Sequence, residues 1–148
     1  MVRRRVDDRA DSGTALIEFI WLGLLLLVPL VYIMVAVSQV QGAAYGVSTA
    51  SRAAGRAFVL APDVGAARER AEQAALIALA DQGIEARTAD IAIECVPSCL
   101  VPGSTVKIVV TVRQRLPLAP DVLGAGAPSV TVDSTHVEPY GTFREARS

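Results

Sequence analysis

Glu18 is the one charged side chain in an apolar run from Gly13 to about Val37, and the next charge after it is Arg52. An ionised carboxylate costs about 2.5–3.5 kcal/mol at the centre of a membrane helix and less near the interface. Its chemistry is therefore ion pairing with a cation supplied from elsewhere, or snorkelling to the headgroups from about one turn inside the helix. A second group is C-V-P-S-C, which holds the only two cysteines, Cys95 and Cys99. Two thiols make a disulfide or half of a zinc site. The only histidine, His136, follows Ser134 at strand spacing, so both can share a face. Without a positioned acid and an oxyanion hole this is no triad, and His136 reads as a surface or sheet-end residue. Neither G-x-S-x-G nor H-E-x-x-H occurs. The sequence thus predicts no enzyme, no metal site and no cofactor.

The element that must position Glu18 is the apolar run itself. At about 1.5 Å rise per residue, residues 14–38 cross a hydrocarbon core of about 30 Å as a single helix. Arg3, Arg4, Arg5 and Arg9 lie before the run, and the nearest basic residues after it are Arg52 and Arg56. Lys/Arg bias near the membrane ends sets orientation. Residues 1–12 are expected in the cytoplasm, with the C-terminal part outside. Pro29 removes one backbone donor and predicts a modest bend. The 148-residue chain is otherwise near neutral, with Lys+Arg 14 and Asp+Glu 15, and its aromatic content is 5%. That balance provides no basic field for nucleic acid and no stacking surface for bases or sugars.

The junction G-T-A-L-I-E-F at residues 13–19 ends a short polar, basic leader and opens the apolar run. It resembles the processing site of type IV prepilins: Gly, cleavage, four mostly apolar residues, then Glu and an aromatic or apolar residue. With the helix and exterior part that follow, the chain resembles the TadE-like pilins of the tight-adherence (Tad/Flp) system. The junction carries the motif, and the rest matches in layout. The resemblance implies that a membrane-embedded aspartic prepilin peptidase cuts between Gly13 and Thr14. Glu18 and Phe19 then become the fifth and sixth residues of the mature chain. It further implies that Glu18 pairs with the new α-amino group of a neighbouring subunit during assembly, an attraction that selects axial register. Other pilin subunits, the Tad machinery and the membrane are the implied partners. The implied location is the bacterial cytoplasmic membrane, single-pass, with the exterior part reaching the pilus or cell surface.

From Gly42 to Gly55 small residues take over. Gly42, Gly46, Ala50 and Ala54 recur at four-residue spacing and put one helical face within reach of another backbone. That backbone belongs to a neighbouring subunit, to the chain's own exterior domain, or to both, because such a helix has two sides. The helix is expected to continue to about Val59, with a weak point at Gly42 or Gly46, since each glycine costs up to about 1 kcal/mol relative to Ala. Pro62-Asp63 restarts a helix over residues 63–82, with Val64, Ala67, Ala71, Ala75, Ala78 and Leu79 on one face and Gly83 at its end.

Beyond Gly83 the period becomes two. Ile91, Ile93 and Cys95 alternate with polar or small residues, as do Val106, Ile108, Val110 and Val112, and then Val130 and Val132. Three strands with one apolar face each predict a small antiparallel sheet. The P-G at residues 102–103 marks a turn, and residues 116–128 read as a loop and candidate contact surface. Residues four apart are about 13 Å from each other when extended, beyond disulfide reach. Pro97 can bend the segment, and an oxidising exterior favours a Cys95–Cys99 bond.

The expected fold is α+β: a long N-terminal transmembrane helix, then a second amphipathic helix packed on a three-stranded antiparallel sheet. Its parts are a leader (1–13), a membrane helix (14–38), a helical stalk (39–60) and an exterior domain (61–148). The expected function is that of a TadE-like minor pilin or pseudopilin. Two other readings use the same residues. One is an unprocessed single-pass subunit of an envelope complex. The other is a secreted binding domain cleaved after Ser38, against which the apolar run is longer than a signal peptide's usual 7–15 residues.

Overall fold

The computed structural model describes residues 8–116 and 128–147. Within them run a helix α1 (Asp8–Val59), a helix α2 (Val64–Ala80), a 3-10 turn (Ala86–Thr88), and strands β1 (Ala89–Val96), β2 (Thr105–Arg115) and β3 (Ser129–Pro139). The chain divides into two units, one up to Val37 and one from Ser38 onward.

The first unit is helical throughout its described part. From Thr14 to Val31 every side chain is exposed, including Leu16, Ile17, Trp21 and the four leucines at positions 24–27. A helix apolar on all sides has no polar face to turn to water. This segment is long and apolar enough to cross a membrane. Pro29 sits inside the helix without ending it.

In the second unit the two helices cover one face of the sheet. Strand order is β1-β2-β3, antiparallel throughout, with β2 central. β2 turns Val106, Ile108, Val110 and Val112 toward the helices, each at most 3% exposed. Burying each such side chain contributes about 1.5–3 kcal/mol. From α1 the core takes Ala43, Val47, Ala50, Ala54 and Phe58; from α2 it takes Ala67, Ala71, Ala75, Ala78 and Leu79. The alanine stripe leaves no long side chain in the way, so α2 lies close on β1. Asp63 caps α2, its Oδ1 accepting from the Ala66 N–H at 2.8 Å. At the other end Gly83 adopts φ +71°, a left-handed conformation cheap for glycine, and Ile84 N–H reaches back to Leu79 O.

As expected, α1 continues to Val59, and the weak point at Gly42 or Gly46 does not break it. Other expectations change against this structure. The small-residue face is used by the chain itself. Gly46, Ala50 and Ala54 are buried, and a Cβ on Gly46 would lie 2.6 Å from Ile84 Cδ1. Only Gly42, half-buried with open space around it, stays at the margin. β3 extends well past Val132, to Pro139, and carries His136 into the helix–sheet interface instead of leaving it on the surface. The expected contact loop falls mostly on residues 117–127, outside the described residues.

Candidate functional site

Glu18 sits on the exposed flank of α1, beside Leu16, Ile17, Phe19 and Ile20. Phe19 is 73% exposed, so it too projects away from the helix. Residues four apart share one helical flank, so Thr14 and Glu18 lie one above the other, separated by about 6 Å of helical rise. Glu18 forms no ion pair among the described residues. The backbone is helical from Asp8 onward, so the Gly13–Thr14 bond lies within the helix. An ionised carboxylate so placed is costly in an apolar medium unless a cation from another molecule pairs with it.

Cys95 and Cys99 are joined, with Sγ–Sγ 2.04 Å and Cα–Cα 5.1 Å. The bond closes the turn leaving β1, where the Val96–Pro97 peptide is cis and Leu100 takes φ 53° with its side chain buried. Gly103, at φ +80°, completes the turn into β2. The disulfide is a structural staple here: both sulfurs are consumed, and among the described residues no three His, Cys, Asp or Glu converge on one point.

Two features escape a reading of the sequence. His136 Nε2 lies 2.8 Å from Glu138 Oε2, and both side chains are about three-quarters buried under α1. Gly55 makes the room, since a Cβ there would stand 3.0 Å from His136 Cδ2 and 3.2 Å from Glu138 Cβ. One turn earlier, Ser51 Oγ is 3.3 Å from Ser134 Oγ, so a polar seam joins α1 to β3. The second is a C-terminal strap. Arg144 donates to Val59 O at 2.7 Å and Arg147 to Ala61 O at 2.6 Å, two carbonyls at the end of α1 and just beyond it. Cations at a helix C-terminus meet its negative dipole end. Tyr140, only 3% exposed, anchors the strap by donating from its hydroxyl to Glu145 O. A glycine at position 55 is the only sequence signal for the first feature. Arg144 and Arg147 give none for the second.

No protein-family model, curated protein or solved structure matches the chain.

Proposed function

We propose that the chain is a TadE-like minor pilin or pseudopilin, a structural or assembly component of a Tad (type IVc-like) pilus. The observation that carries the reading is a single carboxylate, Glu18, placed five residues past Gly13 on a wholly exposed apolar helix. The small α+β unit after it supports the same layout.

In this reading a prepilin peptidase removes residues 1–13. The bond to be cut lies in helix, so the site must unwind locally, and glycine lowers that cost by about 1 kcal/mol relative to Ala. Cleavage frees an α-amine at Thr14, with an ordinary pKa of about 7.7–8.0. On a neighbouring helix this amine meets Glu18, and each charge offsets the other's desolvation. The exposed apolar surface of residues 14–37 packs sideways on other pilin helices. The outward flank of the second unit's helix, Tyr45, Thr49, Arg52 and Arg56, faces the partner, because the opposite flank is filled by the chain's own core.

Glu18→Ala tests it. Removing one partner of a buried ion pair costs about 3–5 kcal/mol. Incorporation into pili is expected to fall by more than about a hundredfold, with insertion and cleavage retained. Normal incorporation of that variant rejects the pairing.

A further inference from the structure

We propose that the sheet face turned away from the helices carries a binding groove for condensed phosphates, built on Arg87, Arg113 and Arg115. The inference stands independently of the pilin reading.

The groove has a volume of about 710 Å³ and opens on the C-terminal half of β2. Its construction follows from the strand ends. β1 begins at Ala89, opposite Val112, so it does not flank the last three residues of β2. The 3-10 turn takes its place and brings Arg87 to the same hollow as Arg113 and Arg115. On the other side β3 is in register, with Thr131 opposite Arg113 and Ser129 opposite Arg115. Two same-face strand residues stand about 7 Å apart, so the two guanidinium groups present two anion positions in line.

Charges decide the ligand class. Arg87 is held by Glu85 at 2.6 Å, but Arg113 and Arg115 have no ion pair among the described residues. Asp90 and Asp133 stand on either side of Thr111, next to Arg113, and form the anionic margin of the groove, which leaves the Arg115 end as its most positive part. Among the described residues no aromatic side chain lines it, which leaves charge and hydrogen bonding as the means of recognition. A guanidinium fork saturates the two oxygens of a planar carboxylate by itself. Here hydroxyl groups stand across the groove from both forks, and a tetrahedral phosphate has oxygens to reach them as well. A chain of phosphates fills two positions at once, and the volume exceeds what one phosphate needs.

The test titrates tripolyphosphate into the detergent-solubilised full-length chain by calorimetry, beside tricarballylate as a polycarboxylate and an oligothymidylate as a phosphodiester. Tripolyphosphate is expected to bind at least tenfold tighter than either. Arg113→Gln with Arg115→Gln should weaken it tenfold or more, while Lys107→Gln, farther along the same face, should not. If the double glutamine variant fails to fold, Ser129→Ala with Thr131→Val leaves both forks in place and removes the hydroxyl groups opposite them. That variant should lose the preference for phosphate over carboxylate, and a retained preference overturns the assignment. Equal affinity for tricarballylate, tighter oligothymidylate binding, no binding, or indifference to the glutamine substitutions overturns it as well.

Discussion

Ala50→Leu separates the two uses that a small-residue helix face can have. Ala50 is fully buried in the core on the inner face of α1, with Val47 and Ala54 on the same stripe at 1% and 0% exposure. Leucine adds three carbons to an interface with no side-chain slack: the next residue, Ser51, is hydrogen-bonded to Ser134, and Ile84 already occupies the space over Gly46. Overpacking of this kind costs about 1–3 kcal/mol. Thr49→Leu places the same side chain one position earlier, on the exposed flank, where substitutions usually stay within about 0.5 kcal/mol. The only tryptophan, Trp21, lies in the apolar segment, so its fluorescence does not report on the second unit. Hydrogen exchange of the β2 amides in detergent does. Ala50→Leu should speed that exchange by at least about fivefold, the factor that corresponds to 1 kcal/mol, with Thr49→Leu near wild type. Unchanged exchange in Ala50→Leu together with loss of protection in Thr49→Leu would show that the wrong flank has been placed inside.

Asp63→Ala removes the cap that binds the Ala66 N–H and should lower stability by about 1 kcal/mol; an unchanged thermal midpoint for the second unit would contradict it. Arg144→Ala and Arg147→Ala each remove a hydrogen bond from a cation to a carbonyl at the end of α1, for an expected loss of about 1 kcal/mol apiece. Denaturant midpoints equal to wild type would show the strap to be incidental. The Cys95–Cys99 bond closes a short loop, which limits its chain-entropy contribution to about 2 kcal/mol. The native protein should take up no thiol reagent before reduction and two equivalents after it, one for each of its two cysteines; labelling before reduction would mean the staple is not formed.

How far the sequence reveals this fold depends on whether a local pattern carries the signal. The end of α1 at Val59, the alanine face of α2 and the apolar faces of β1 and β2 all follow from periodicity and from the Pro62-Asp63 restart. β3 is different. Beyond Val132 its inward residues are Ser134, His136 and Glu138, so hydrophobic alternation stops while the strand continues. Those polar groups are tolerated because Ser51 partners Ser134, Glu138 partners His136, and Gly55 leaves room. Ser51 and Gly55 belong to α1, far from β3 along the chain, so their contribution is invisible to local reading. The same reason hides the arginine strap. Small residues on a helix state that something comes close without stating what, and only the tertiary structure assigns Gly46, Ala50 and Ala54 to the chain's own core. Glu18 is legible at once, because a lone charge in an apolar run needs no fold to be conspicuous.

The most direct test of the proposed function is the N-terminus of the native protein, extracted from membranes and read by intact mass and terminal peptide sequencing. The account predicts a chain that begins at Thr14, with residues 1–13 removed and Glu18 at the fifth position. A chain that still begins at Met1 or Val2 would contradict it and leave an unprocessed anchor, and one that begins at Gln39 would make the protein a secreted domain.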